Sequence, residues 1–390
     1  MLPYHAMLPA AMLLVACSGG GTDAPGTVSP APTATPTATP TPTPTATTPT
    51  GGVPFATREV ATFNAPWAMT FLPDGRMLVT EKGGTLVLVS ADGSQKTTAA
   101  TIPVDSAGQG GLMDVVLAPD FASSRRVYLS YSVAGDGGKG VVLARGVLDG
   151  NRVTGVTELF RATPFVSGDG HYSGRIAFAP DGQHLFFTNG ERQKFDPAQD
   201  PKATLGKVLR LTLDGKPAGD PGLTAKGFHP AVWSYGHRNL LGIAFDRQGN
   251  LWEQEMGPKG GDEVNLILPG RNYGYPLVSE GDHYDGRPIP RHSTRPDLEA
   301  PKVAWNPVIS PGGLIVYSGK AFPQYAGDLF IGGLSSEALV RVDVNGTSAA
   351  KGDQWPMNAR IREVEEGPDG AIWVLQDGAN AKLLKLSPRS

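Results

Sequence analysis

Four short stretches gather the side chains capable of acid–base and ion-binding chemistry. GDGHYSGRIAF sets His171 in a glycine-rich loop just before a strand-like run. WSYGHRNLLGIAF puts Arg238 and Asn239 at the same position relative to a similar run. EQEMGPKGGDEVNLI follows a strand with Gly257, Pro258, Asp262 and Glu263, and NARIREVEEGPDG places Arg360 and Arg362 two apart, on one face of a strand. A loop imidazole is a general base near neutral pH. Guanidinium groups bind an anionic ligand, and an oxygen-rich cluster without cysteine favours Ca²⁺ over zinc. Singly, each has a structural explanation: His171 bonding loop backbone, the arginines pairing with Glu363, Glu365 or Glu366, and Asp262 and Glu263 capping turns. Only their co-occurrence points to a site. His184, His229, His283 and His292 have no comparable setting and read as structural, and Trp252, Trp373 and Phe187 read as packing.

A recurring phrase must position these loops: two or three apolar residues, a Pro-Asp-Gly-like turn, then an alternating strand. It begins at Met69, Val115, Ile176, Ile243 and Gly367, with a weaker copy at Ala321, six in all at spacings of about 40 to 80 residues. The turn supplies the positive φ position and the flanks alternate with period two. Such a hairpin is marginal alone, so several must stack to bury their faces. Six such units around an axis make an all-β, six-bladed β-propeller of four-stranded antiparallel blades. Variable spacing then means long loops on one face, where a site forms. The stretch from Phe55 to Phe63 is expected to pair into the last blade and close the ring.

Composition agrees. The 390 residues include 51 Gly and 35 Pro, about 22%, which disfavours a helical bundle. With 34 basic and 37 acidic residues, a net charge of −3, the chain lacks the basic field nucleic acid requires. No stretch reaches the roughly 18–20 apolar residues of a membrane-spanning helix. The single cysteine, Cys17, excludes an intrachain disulfide and a cysteine-built metal site. An apolar run ends at Leu14-Val15-Ala16-Cys17, which resembles the lipobox of bacterial lipoproteins, although the preceding segment carries no Lys or Arg. That resemblance implies a signal peptide over 1–16 and a lipid-anchored Cys17 at the bacterial cell envelope, on the periplasmic or outer-membrane face. Pro, Thr and Ala dominate thereafter, so residues 17–52 are expected to be a disordered tether and 53–390 the folded propeller.

Six ordered motifs carry a further resemblance: GQGGLMDVVLAPDF, HYSGRIAFAPDG, LGKVLRLTLDG, WSYGHRN, GPKGGDEVNLILPGRNYGYP and RIREVEEGPDG. Spanning about residues 55 to 388, they resemble the soluble PQQ-dependent aldose sugar dehydrogenases of the glucose/sorbosone dehydrogenase family. The resemblance implies PQQ and Ca²⁺ as cofactors, an aldose oxidised at C1 to its lactone, and an external electron acceptor, quinone or cytochrome. It implies that His171 is the general base, that Glu191 orients it and that Arg238 stabilises charge on the quinone. Gln109 would line the cofactor and sugar pocket, Arg238 and Asn239 contact the quinone oxygens, and Arg360 and Arg362 engage PQQ carboxylates. Gly257 and Pro258 would bind Ca²⁺ through their carbonyls, with Glu263 and Tyr273 ligands of a second Ca²⁺. Three positions depart: Ser335 stands where the family often has a Lys, and Asn306 and Val308 replace pocket residues, with Trp305 the candidate to serve instead.

Two other classes fit a propeller: a non-catalytic module binding sugar or protein, and a Ca²⁺-dependent lactonase. The first gains from Ser335 and loses from the retained His171, Arg238, Asn239, Arg360 and Arg362. The second needs side-chain metal ligands converging on the axis.

Overall fold

The computed structural model describes residues 52–218 and 220–389; the expected leader and the tether up to residue 51 lie outside them. Each phrase folds as the first hairpin of a four-stranded antiparallel blade. The blades span residues 66–101, 112–161, 173–235, 240–305 and 311–356, and the sixth combines 361–388 with Phe55–Phe63. In the first blade the turn works as its sequence dictates: Gly75 takes φ +85° and the Leu72 carbonyl accepts its amide at 2.9 Å. The second blade lacks that glycine. There a short helix, Phe121–Ser124, makes the connection and Arg125 adopts the left-handed conformation instead.

Ring closure follows the expectation. Phe55–Phe63 lies antiparallel to Ala381–Pro388, from Phe55 opposite Pro388 to Phe63 opposite Ala381. Joining the two ends of the folded chain in one blade leaves no open seam. The alternating strand residues pack blade against blade: the largest apolar cluster runs from Trp67 through Leu129 and Phe187 to Leu241. Each such fully buried side chain contributes about 1.5–3 kcal/mol. Phe187, Trp252 and Trp373 are all buried in the blades, as their reading required.

The first strand of every blade breaks register near its start, between Pro66/Met69, Leu112/Val115, Ser173/Ile176, Leu240/Gly242, Pro311/Leu314 and Ile361/Glu363. A bulge bends a strand and re-aims its side chains. Trp67, Met113, Leu241 and Arg362 all fall inside these breaks, and all four line one cavity at the axis. Below it a buried cluster separates this cavity from a second one of about 550 Å³ lined by the first strands of all six blades. The Arg175 guanidinium lies 4.1 Å from the Trp67 ring centre, 2.5 Å from Glu363 and 3.4 Å from Asp114, and its Nε donates to the Leu241 carbonyl at 2.7 Å. Burial pushes the Glu363 carboxyl up to about 7 even against Arg175. This buried cluster stands between the two axial cavities.

Candidate active site

His171 and Arg238 meet at that open face. Both line a cleft of about 310 Å³, with Glu191, Pro258 and Tyr275. Beside it lies the axial cavity of about 370 Å³, lined by Gln109, Asn239, Arg360 and Arg362. Every catalytic and cofactor-binding residue expected from the sequence therefore borders one of two neighbouring spaces.

The loop before the third blade bends sharply to deliver His171, which takes φ +49°, as does Ser173 at +62°. Its amide donates to Gln109 Oε1 at 2.7 Å. Its Nδ1 bonds Glu191 Oε1, leaving Nε2 free toward the cleft. Burial holds the His171 pKa below its usual value, with Arg238 nearby acting in the same direction and Glu191 against both. The imidazole is therefore neutral at neutral pH, with its lone pair on Nε2.

Glu191 is fully buried at the head of a tight strap. Its carboxylate accepts the amides of Gln193 (3.0 Å), Lys194 (2.5 Å) and Phe195 (2.6 Å). Burial alone would raise its pKa; the His171 bond and these amides outweigh that and lower it. To wrap one carboxylate, Arg192, Gln193 and Phe195 all take positive φ, a conformation costing on the order of 1–3 kcal/mol each. Lys207, within the LGKVLRL motif, secures the far end by donating to the carbonyls of Pro197 (2.6 Å), Ala198 (2.9 Å) and Leu205 (2.9 Å).

Arg238 is buried and donates from Nη1 to the Met256 and Gly257 carbonyls at 2.8 and 2.6 Å; its Nε has no partner. Asn239 Oδ1 accepts from Ser173 at 3.3 Å. Across the axial cavity, Arg360 precedes the strand Ile361–Glu366 and Arg362 sits in its register break, so strand alternation does not pair them, yet both line the cavity. Their partner is Asp377, at 2.8 and 2.9 Å, rather than a glutamate of their own strand. Lys82, which the sequence had not singled out, adds a third cation to the lining. Ser335 is exposed, with its neighbour Leu334 reaching the cavity. Trp305 is not a pocket residue. It lies opposite Asp262 of the neighbouring strand and is buried in an apolar cluster, because alternation turns its ring into the blade.

Gly257, Pro258, Glu263 and Tyr273, the four residues assigned to metal, line one small void of about 10 Å³ together with Glu255. That is room for about a single water or ion. The donors available are oxygens, as a hard cation requires. Burial pushes the Glu263 carboxyl well above its usual range, and the neighbouring Glu255 adds to it. The Tyr273 hydroxyl is committed to the backbone, donating to the Leu266 carbonyl at 2.5 Å and accepting the Leu268 amide at 2.8 Å, which leaves its carbonyl, already 3.0 Å from His292 Nε2, as the one atom to share with a cation. Arg238 already holds the Gly257 carbonyl, and a cation there requires the guanidinium to share or release it. Asp262 acts as a clamp: it accepts the amides of Gly257 (2.9 Å), Ile309 (2.8 Å) and Ser310 (2.7 Å).

Sequence reasoning missed the layer beneath Arg238. His237 is fully buried, with Nδ1 3.1 Å from Glu255 Oε1 and Nε2 2.8 Å from Ser234 Oγ, while Glu255 Oε2 accepts the Arg238 amide. Glu253 and Asn265 complete the cluster, Asn265 Nδ2 donating to Glu253 at 3.1 Å. The available signal was Glu253 and Glu255 two apart, hence on one face of a strand. His283 also departs from its structural reading, since it lines the cleft. His292 keeps it, buried between Glu280 and the Tyr273 carbonyl.

Comparison with known proteins agrees with this architecture. The sequence profile described as Glucose / Sorbosone dehydrogenase matches residues 63–385. The chain is 40% identical over 336 residues to the aldose sugar dehydrogenase YliI of Escherichia coli K12, covering 83% of this chain and 90% of that protein. It is 26% identical to quinoprotein glucose dehydrogenase B of Acinetobacter calcoaceticus, over 82% and 84% of the two chains. Among solved structures, the apo-form soluble aldose sugar dehydrogenase of E. coli superposes with TM-score 0.80 at 37% identity, over 86% of this chain and all of that one. The PQQ-bound aldose sugar dehydrogenase of Streptomyces coelicolor does so with TM-score 0.71 at 30% identity, over 86% and 98%. Six blades, one open face and nearly full-length similarity lead to one assignment: the chain belongs to the glucose/sorbosone dehydrogenase family.

Proposed function

We propose that this protein oxidises aldose sugars such as glucose at C1 to the lactone, with PQQ and Ca²⁺ as cofactors, and passes the electrons to an external quinone or cytochrome. The observation that carries this reading is His171: an imidazole fixed at Nδ1 by a buried carboxylate, with Nε2 free at a cleft beside a cation-lined cavity. The fit to the cofactors rests on donor chemistry. Lys82, Arg360 and Arg362 suit a flat polycarboxylate, and the unpartnered Arg238 Nε is a buried donor in want of an acceptor. The oxygen-lined void suits a hard cation.

When bound, PQQ supplies the two-electron acceptor and Ca²⁺ polarises it as a Lewis acid. The protein does the rest. Nε2 of His171 takes the proton of the anomeric hydroxyl as C1 gives up its hydride, and Glu191 steadies the imidazolium that forms. Arg238, which borders the cleft, would set its positive charge against the bound cofactor. Gln109 joins the two loops by accepting the His171 amide, so sugar and cofactor are held in one register. Arg360 and Arg362, held by Asp377, and Asn239 bind the cofactor's polar rim. Gly257, Pro258, Glu263 and Tyr273 would hold the cation.

The lactonase alternative needs side-chain metal ligands converging on the axis, and there Asp114 and Glu363 are both paired with Arg175. The lipobox-like Leu14-Val15-Ala16-Cys17 favours an envelope enzyme whose only link to the membrane is a lipid on Cys17. Adding PQQ and Ca²⁺, then glucose, while recording absorbance tests the activity: a bound-quinone band that bleaches with sugar is expected. No bleaching with any aldose would overturn the reading. Chelation of Ca²⁺ is expected to abolish the reconstituted activity, and full activity in chelated protein would remove the cation from the mechanism.

A further inference from the structure

We propose that the second axial cavity, at the far ends of the first strands, is a binding site for a small organic cation: a protonated amine with an apolar body, its charge set against Glu365. This site is separate from the sugar-oxidising one and does not depend on that reading. Its volume of about 550 Å³ lies within the roughly 300–1,000 Å³ of small-molecule sites. The last residue of each first strand lines it: Phe71, Leu117, Phe178, Phe245 and Val316 in five blades, and Glu366 in the sixth. All six are half-buried, so they form a wall open to a ligand rather than a packed core. Its rings are held from behind: Phe71 edge-on to Trp373 at 5.2 Å, Phe178 to Tyr128 at 5.1 Å and Phe245 to Phe186 at 5.3 Å.

The charge of this cavity is one-sided. Carboxylates of Asp114, Glu363, Glu365 and Glu366 line it against the single guanidinium of Arg175. Asp114 accepts the Val115 and Ile176 amides at 3.0 and 2.8 Å, and Glu366 accepts the Ser318 amide at 2.7 Å. Glu363 is 4% exposed and lies against Arg175, yet its Oε2 takes no hydrogen bond of ordinary geometry from that guanidinium. Glu365 has no ion pair and no side-chain hydrogen bond among the described residues; burial, with Glu363 and Asp114 beside it, pushes its carboxyl well above the usual range. A carboxylate so placed costs the fold free energy unless a cation meets it. A bare divalent metal does not suit the space, because a hard cation takes about six to eight oxygens and this wall is mostly apolar. An ammonium on an alkyl or aryl body satisfies both halves: apolar walls enclose the body, the one-signed field holds the charge, and nearby aromatic rings favour a cation.

Calorimetric titration of PQQ-free protein with benzylammonium, and with neutral benzyl alcohol as its control, tests the site. Saturable binding of the amine is expected, about tenfold or more tighter than the alcohol. Glu365→Gln is expected to weaken the amine about tenfold without lowering the unfolding midpoint. Val316→Trp, which fills the cavity from a different blade, is expected to abolish binding, and His171→Ala to leave it unchanged. No saturable amine binding, equal binding of amine and alcohol, or unchanged affinity in Glu365→Gln or Val316→Trp would overturn the proposal. Loss of binding in His171→Ala would put the amine in the catalytic cleft, and displacement by equimolar Ca²⁺ would make the cavity an inorganic cation's site; either result refutes it. A lower unfolding midpoint in Glu365→Gln would assign the carboxylate to the fold and not to a ligand.

Discussion

Two of the histidine–glutamate pairs in this fold are built on a buried glutamate, and only one of the two is placed for chemistry. His171 and His237 each turn Nδ1 to a buried glutamate, Glu191 and Glu255. They differ at the other nitrogen. His237 Nε2 meets Ser234 Oγ at 2.8 Å in a fully buried layer, so both ring positions are satisfied by the protein. His171 Nε2 faces the cleft. A dyad motif therefore carries no function by itself; the free nitrogen and its access to a ligand do. The buried pair has a different task, because Glu255 also accepts the Arg238 amide and so fixes a residue that lines the cleft.

Alanine at the two histidines breaks the comparison most sharply. His171→Ala is expected to lower kcat by about 10²–10⁴-fold, the usual worth of a general base, while PQQ binding followed by absorbance titration is retained. His237→Ala leaves Glu255 Oε1 with only the longer Asn265 contact at 3.3 Å and is expected to cost about 1–3 kcal/mol in denaturant unfolding, with kcat per folded molecule down less than tenfold. Reversal of these two profiles would refute the division of labour. Next in size, Glu191→Gln should reduce kcat by roughly 10–100-fold, because an amide holds the ring but steadies an imidazolium poorly. Retained turnover there would mean that the strap only builds the loop.

The smallest effect is in pH dependence. Since burial lowers the His171 pKa, the neutral base persists into mildly acidic solution, and kcat/KM is expected to fall only as pH drops through a value below 6.5. An acid limb above 6.5, or one that persists in His171→Ala, would assign the titration elsewhere.

Much of the architecture was legible because the repeated phrase is a local signal: a turn residue and period-two flanks specify a hairpin wherever they occur. Closure by Phe55–Phe63 was legible for the same reason, as an otherwise unpartnered strand. The register breaks were not. Nothing in Pro66–Met69 or Leu112–Val115 announces an extra residue, yet those breaks turn Trp67 and Met113 into the cavity. Partners separated by long loops were equally hidden. Asp377 as the counter-charge of Arg360 and Arg362, and Ser234 with Glu255 around His237, depend on how neighbouring strands align. His283 looked like an ordinary loop histidine because only the folding of residues 281–287 over the cleft brings it to Phe195.

The tautomer of His171 is the most direct test of the central claim. In ¹⁵N-edited NMR of the PQQ-free protein at neutral pH, Nδ1 is expected to carry the proton and Nε2 to show the shift of an unprotonated nitrogen. A protonated Nε2 at neutral pH, alone or with Nδ1, would leave the cleft without its base and contradict the account.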